Sequence, residues 1–336
     1  MKIGSLDTAD QVLVIAEIGN NHEGDVKVAA EMVAAAADAG VDAVKFQTFR
    51  TELFANPKDA ARYERLRQFE LTPTEFSSLR DLAHSLGLLF LSTPLDLESA
   101  KFLNNIVDAF KIASGDNNFF PLLGEVASTG KPVIISTGAS DIEQVCKSKD
   151  YVKGIWNQLG INGQLAVLHC VSNYPTANEN ANLSVIPTLF DSLQCEIGYS
   201  DHTLGIDACV LSIALGSRII EKHFTLDHHF SDFRDHQISA DPEEMDRLVS
   251  RVRLATQLLG GTQKKILASE AEIAPLIRRS IVAAIELPVG HCIAREDLLW
   301  IRPGDGLPPG DEEKLIGKFV LEDIGRAEPI LLEKVA

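Results

Sequence analysis

Residues 109–115 read AFKIASG and residues 132–138 read PVIISTG: each is a short apolar run that stops on residues able to hydrogen-bond. The same arrangement recurs six more times before residue 226. VLVIAEIG (12–19) ends on Glu17, AVKFQTF (43–49) carries Lys45 and Gln47, and LLFLSTP (88–94) ends on Ser92 and Thr93. LAVLHC (165–170) ends on His169, CEIGYSDH (195–202) ends on His202, and RIIEKHFT (218–225) carries His223. Helix-like stretches separate most of these runs. That is the layout of a (β/α)₈ TIM barrel, whose active site lies at the C-terminal mouth of the strands. The run endings therefore say which side chains share one cavity.

The connecting stretches carry start and stop signals. Asp25 is the expected N-cap of VKVAAEMVAAAADAG, which stops at Gly40, and Asp141 that of IEQVCKSKDYVKGIWNQLG. Thr74 is the expected cap of EFSSLRDLAHSLG, and Pro242 suits the first position of the helix after Asp241. IDACVLSIALG, after Gly205, is apolar enough to be a well-buried helix. The charged interval from Arg50 to Gln68 reads as an extended loop at the mouth. After Gly260-Gly261 the pattern changes, which predicts a barrel domain over 1–260, a linker over 261–277 and a small, mostly β domain over 278–336. That last domain alone can bury only a modest core.

At 336 residues the chain has room for a barrel of roughly 250 residues plus a second domain. The net charge of −17 argues against a nucleic-acid partner, because phosphate backbones are bound by basic patches. Lysines at the mouth of so acidic a chain suggest a small anionic substrate instead. Five cysteines, odd in number and without C-x-x-C, fit reduced thiols in a cytoplasmic protein. The opening MKIGSLDTADQ has no apolar signal-peptide core, and no apolar run reaches the ~18 residues of a membrane span.

Lys45 and Gln47 stand two residues apart on one strand, so both point to the same face. With Lys111 from another strand and the hydroxyls of Ser114, Ser136 and Ser200, they suit a compact, multiply charged anion. The bland alternative is a surface ion pair for each lysine. His202 and His223 end consecutive strands, so their rings can converge on one divalent ion, with Asp201 and Glu221 as the expected partners that orient them. A hydrogen-bonded structural role is the competing reading for either histidine, and His228-His229 reads as loop. Glu17 can act as general acid or base, or can hold a lysine or a hydroxyl. The phosphate-loop pattern G-x-x-x-x-G-K-[ST] is absent. Taken alone, these residues do not choose a reaction.

The segments IAEIGNNHEG (15–24), VKFQT (44–48), FLSTP (90–94), FKIASGDNN (110–118), ISTG (135–138), HCVSNYPT (169–176), GYSDHT (198–203) and EKHFTLD (221–227) resemble, in collinear order, the sialic acid synthase family. Its members include N-acetylneuraminate synthases and their legionaminate, pseudaminate and spore-coat polysaccharide relatives. RRSIVAA (278–284), EDLLWIRPGDG (296–306) and IGKFVLEDI (316–324) resemble the family's C-terminal SAF domain, which is similar to type III antifreeze protein. The resemblance implies condensation of phosphoenolpyruvate with an N-acylated amino-sugar aldehyde, giving a nine-carbon 2-keto sugar acid and phosphate. It implies that Lys45, Gln47, Lys111, Ser114, Ser136 and Ser200 hold phosphoenolpyruvate. His202 and His223 would bind Mn²⁺, with Mg²⁺ or Co²⁺ as alternatives. Glu17 would work at the reacting centre, and Asp116, Tyr174 and Asp235 would line the sugar pocket. Arg302 would reach a partner's sugar site from an exchanged SAF domain, which makes the expected assembly a homodimer.

Three segments depart from the family pattern. Ser172 stands where Asn is common and Asp116 where Glu is common, and the usual Gly-Pro-Asp-His reads Phe233-Arg234-Asp235-His236. Arg234 is expected to pair on the surface, with contact to a sugar phosphate as the alternative. Two other readings compete: a class I aldolase using Lys45 or Lys111 as a Schiff base, and a carbohydrate- or ice-binding module in the C-terminal domain.

Overall fold

The computed structural model describes residues 1–336. Eight parallel strands close into a barrel in chain order: β1 (Leu13–Gly19), β2 (Ala43–Thr48), β3 (Leu89–Pro94), β4 (Ala109–Ile112), β5 (Val133–Ser136), β6 (Leu165–Cys170), β7 (Glu196–Asp201) and β8 (Ile219–His223), with β8 pairing β1. Helices lie between successive strands, so the architecture is the expected TIM barrel. The outward faces of the strands pack against these helices in one large apolar core that includes Val14, Phe46, Phe90, Phe110, Ile197 and Ile220.

The inward faces explain where the chemistry sits. Ile15, Ala43, Leu91, Ala109, Ile134, Leu168 and Ile219 are fully buried and fill the lower lumen. Ile3, from the hairpin formed by Lys2–Ile3 and Leu6–Asp7, packs against the same cluster. Side chains repeat every two residues on a strand face. Two residues above this apolar layer therefore stand Glu17, Lys45, Thr93, Lys111, Ser136, Cys170 and Glu221, all on the lumen side. Burial of each Leu or Ile below contributes about 1.5–3 kcal/mol, so the apolar floor supplies stability that the polar layer above it does not.

Local signals hold in part. Asp25, Asp141 and Asp241 cap the helices Val26–Asp38, Ile142–Leu159 and Pro242–Leu259 through side-chain acceptance of backbone N–H groups. The helix expected after Thr74 instead runs Pro73–Ser85, with Thr72 as its cap. Pro73 takes the first helical position, and Thr72 and Glu75 bond each other reciprocally in a capping box. The interval read as an extended loop contains helices Thr51–Phe54 and Ala60–Phe69. The second buries only Phe69, so it lacks the apolar stripe by which a helix announces itself. The apolar helix Asp207–Ala214 is less buried than expected: Leu211 is 60% exposed.

The chain divides into compact units at Met1–Gly260 and Gly261–Ala336. Residues 261–277, read as a linker, fall in the second unit and hold a 3₁₀ turn, Ala268–Glu270, and a short helix, Ile273–Ile277. Within that unit, Ser280–Ala283 pairs antiparallel with Leu298–Ile301. Isolated bridges such as Leu287 to Ile324 and Val320 to Val335 extend the β character. Its small core centres on Ile281, Leu287, Leu298, Leu315, Ile324 and Ile330. All five cysteines are free thiols, and no helix is long and apolar enough to cross a membrane.

Candidate active site

At the C-terminal ends of the strands lies a cavity of about 230 Å³. Its walls bring together Glu17, Lys45, Gln47, Lys111, Ser114, Ser136, Tyr174, Ser200, His202, His223 and Asp235 from the residues singled out in the sequence. Asp116 is not among the lining residues; it sits in the 3₁₀ turn Ser114–Asp116, where burial raises its carboxyl pKa. Arg302 is exposed in the second unit, immediately after Leu298–Ile301. A larger cavity of about 720 Å³, lined by Arg50, Tyr63, Glu70, Phe76 and Phe102 among others, contains none of these converging groups.

Four buried ionisable groups alternate across the layer above that apolar floor. Lys45 Nζ lies 2.6 Å from Glu17 Oε2 and 3.7 Å from Glu221 Oε2, and Lys111 Nζ lies 3.3 Å from Glu221 Oε1. Ser200 donates to Glu221 Oε1 at 2.8 Å, and Lys45 reaches Thr93 Oγ1 at 3.2 Å. Burial pushes both carboxyls up, but the outcomes differ. For Glu17 burial prevails over the neighbouring Lys45, so its pKa is raised. For Glu221 the two lysines prevail, and its pKa falls to about 2. Burial also lowers Lys111, whereas Lys45, between two carboxylates, is held up. Glu221 is thus the fixed anion and Glu17 the carboxyl that more readily takes a proton.

Backbone geometry keeps the space above Glu17 open. The β1–β2 register slips between Glu17 and Gly19, a bulge that leaves Gly19 at φ +54°. A Cβ there would stand 3.1 Å from Glu17 Oε1. Gln47, two residues beyond Lys45 on the same face, donates to Glu17 Oε1 at 3.4 Å and accepts from Asn20 at 2.9 Å.

His202 and His223 face each other with ring centroids 5.4 Å apart. His202 Nδ1 is 2.8 Å from the Val171 carbonyl, which directs its Nε2 away from that bond, while His223 Nδ1 is buried without a partner. Burial, reinforced by the charge of His202 and Lys45, pushes His223 well below the usual imidazole range, a direction that favours the neutral form a metal ligand needs. The Tyr174 ring packs against His202 with centroids 4.0 Å apart and planes tilted by 37°, and Arg234 lies over the Tyr174 ring at 5.0 Å. Arg234 pairs with Asp235 at 3.6 Å, as a surface pair would, yet both line the cavity.

Neither Asp201 nor Glu221 bonds a histidine ring directly. Asp201 does not face the rings: Ser200 and His202 point inward, so the alternation turns Asp201 outward. Glu221 does face the cavity, but its partners are Lys45, Lys111 and Ser200. His228 lies in a turn, as its reading as loop expects, and its Nε2 is 3.5 Å from Asp241 and 3.4 Å from Glu244. Thr93, a run ending not assigned to the site, lines the cavity, and in the run 165–170 it is Cys170 and not His169 that does so. Their parity with Leu91 and Leu168 was the available signal.

Residues 32–264 match the NeuB family and residues 278–336 the SAF domain. The N,N'-diacetyllegionaminic acid synthase of Legionella pneumophila is 39% identical, covering 96% of this chain and 94% of that protein. The N-acetylneuraminate-9-phosphate synthase of Mus musculus is 34% identical, covering 96% of this chain and 92% of its own. Among solved structures, the N-acetylneuraminic acid synthetase of Leptospira borgpetersenii, in complex with citrate, superposes with a TM-score of 0.76 at 34% identity, over 81% of this chain and 94% of that one.

Proposed function

Because the chain belongs to the NeuB family and ends in a SAF domain, we propose that it condenses phosphoenolpyruvate with an N-acylated amino-sugar aldehyde. N-acetylmannosamine or a relative would be the acceptor. The relatives named as sialic, legionaminic and pseudaminic acid synthases support the reaction class. The observation that carries the reading is one small cavity holding two buried lysines beside a pair of histidines.

In this reading Lys45 and Lys111 meet the carboxylate and phosphate of phosphoenolpyruvate, assisted by Gln47, Ser114, Ser136 and Ser200. The Ser136 hydroxyl is buried with no partner of its own, so it is free to donate to an incoming oxygen. Carbon 3 of phosphoenolpyruvate attacks the acceptor aldehyde and a carbon–carbon bond forms. Water then adds at carbon 2, and the carbon–oxygen bond to phosphate breaks, leaving a 2-keto acid. Glu17, its pKa raised by burial, would hold or pass the proton at the reacting oxygen.

His202 and His223 fit a divalent ion: the two imidazoles lie 5.4 Å apart between centroids, and one of them has a buried, unpartnered nitrogen. Such an ion, Mn²⁺ in our reading, supplies Lewis-acid polarisation of the open-chain aldehyde when bound. Tyr174 and Asp235 wall the acceptor side, with Asp116 in the adjoining turn. Arg302 from the SAF domain of a second copy would approach the acceptor's N-acyl group, which makes the proposed working unit a homodimer.

The buried, lowered amine of Lys111 also suits a Schiff-base aldolase. One experiment separates the two. Phosphate release and product mass are followed with phosphoenolpyruvate and a panel of N-acyl amino sugars, free and 6-phosphorylated, with EDTA and with added Mn²⁺. Stoichiometric phosphate and nine-carbon acid, lost in EDTA and restored by Mn²⁺, are expected. Borohydride trapping of pyruvate on Lys111, with EDTA without effect, would replace this reading with the aldolase.

A further inference from the structure

Behind the two histidines, on the helix-facing side of the barrel wall, a lysine is buried away from the cavity. Lys222 lies between Glu221 and His223, both of which face the lumen, so it points outward. It is 1% exposed. Its Nζ donates to Asp201 Oδ2 at 2.8 Å and to the Thr203 carbonyl at 2.5 Å. Asp201 is satisfied on every side: Oδ1 accepts from the Tyr199 hydroxyl at 2.9 Å and the Thr203 N–H at 2.8 Å, and Oδ2 accepts from the Cys209 thiol at 3.3 Å.

Packing does not call for charge at this place. The other outward positions of the same two strands, Ile197, Tyr199 and Ile220, belong to the apolar core. Desolvating an ion pair gains little over an apolar pair of the same shape, so such a pair is better explained by what it fixes than by the stability it adds. What it fixes is specific. Lys222 and Asp201 are register partners across β7 and β8, and each is followed directly by one of the histidines. Through Asp201 and Thr203, Lys222 grips the residue on either side of His202, while its own strand delivers His223.

We propose that Lys222 and Asp201 are positioning residues for the His202–His223 pair. The cross-link locks the two strand ends together, so that the rings keep the separation a shared divalent ion requires. The inference rests on the metal reading given above. It assigns the outer wall of the barrel a part in metal affinity, although neither residue touches the cavity.

The test reads Mn²⁺ binding by the full chain without substrate, from the electron paramagnetic resonance signal of free Mn²⁺. Three variants are compared with the parent: Asp201→Asn, Lys222→Met and the pair Lys222→Met/Asp201→Asn, which removes both charges and leaves an acceptor for Tyr199 and Thr203. Far-UV circular dichroism and Tm report the fold. The expected result is a Mn²⁺ affinity lowered about 10- to 100-fold in a folded double variant, the usual cost of losing a partner behind a ligand. A merely structural pair would shift Tm and leave Mn²⁺ affinity alone. Parent protein that binds no Mn²⁺ would overturn the metal reading itself. Parent that binds, with a folded double variant binding within threefold, would overturn the positioning role alone. Failure of every variant to fold would also overturn it, since the pair would then be holding the barrel and not the histidines.

Discussion

Lys45 and Glu17 meet at 2.6 Å, both 3% exposed, at the level of the barrel where apolar filling gives way to charge. They sit on adjacent strands as register partners, so the contact is set by the backbone and not by long, mobile side chains. Glu17 is the counter-ion of the lysine, and an incoming anion would compete for Lys45 and free the carboxyl. Glu17→Gln keeps the shape and removes that exchange. Its kcat is expected to fall roughly 10²- to 10⁴-fold, the range for loss of a general acid or base. The KM for phosphoenolpyruvate should move much less. Steady-state kinetics that show kcat within threefold of the parent would remove Glu17 from the chemistry.

Arg234 lines the cavity beside Tyr174, and its guanidinium lies 5.0 Å over the Tyr174 ring. Its segment is anchored by Phe233, which packs edge-on against Phe69 at 5.2 Å. Arg234→Ala should therefore loosen the acceptor side and spare phosphoenolpyruvate. A cation over an aromatic ring is worth about 0.5–2 kcal/mol, so the acceptor KM should rise roughly two- to thirtyfold. A much larger loss with a 6-phosphorylated acceptor than with a free one would identify Arg234 as a phosphate contact. An unchanged acceptor KM would return it to the role of a surface pair.

How legible the site was depended on strand parity. Ile15 and Glu17, Ala43 and Lys45, and Ile219 and Glu221 each share a face, so apolar floor and polar mouth could both be read from alternation. The same parity assigns Asp201 to the outer wall, because Ser200 and His202 flank it. Proximity in sequence had pointed the other way. What alternation cannot convey is which like-charged neighbours share a counter-ion. Glu221 serves both Lys45 and Lys111, and that follows only from barrel closure, which brings β8 beside β1. Nor could the polar helix Ala60–Phe69 be read, since it turns almost no apolar surface inward.

His22 gives the fold a pH dependence that is separate from catalysis. The ring is buried, its Nδ1 accepts the Gly24 N–H at 3.0 Å, and burial pulls its pKa down to about 4. An unfolded chain titrates near the ordinary 6.5, so between those values it binds more protons than the folded chain does. Stability should therefore be full above about pH 6.5 and decline as pH falls toward 4. The total loss is about 3 kcal/mol for a shift of this size. Chemical denaturation of the parent and of His22→Gln across that window would show it, the variant having the flatter profile. Parallel profiles would mean that His22 keeps its proton when folded.

A last prediction concerns two glycines that the sequence does not distinguish. Gly198 is the position on β7 that faces the apolar floor, two residues below Ser200. A Cβ there would meet the Ile219 carbonyl at 2.4 Å and Leu168 Cδ2 at 2.5 Å. The carbonyl belongs to the neighbouring strand and bonds within the closed sheet, so it cannot retreat without opening the barrel. Gly115, in the turn after β4, has nothing within 4 Å of its virtual Cβ and no positive φ. Gly198→Ala should therefore destabilise by about 1–3 kcal/mol, the usual cost of overpacking, or more because backbone is involved. Gly115→Ala should be neutral or slightly stabilising, since alanine restricts the unfolded chain. Tm values measured side by side decide this: equal values would mean that the lumen at Gly198 has slack, and that the apolar floor does not fix the height of the charged layer above it.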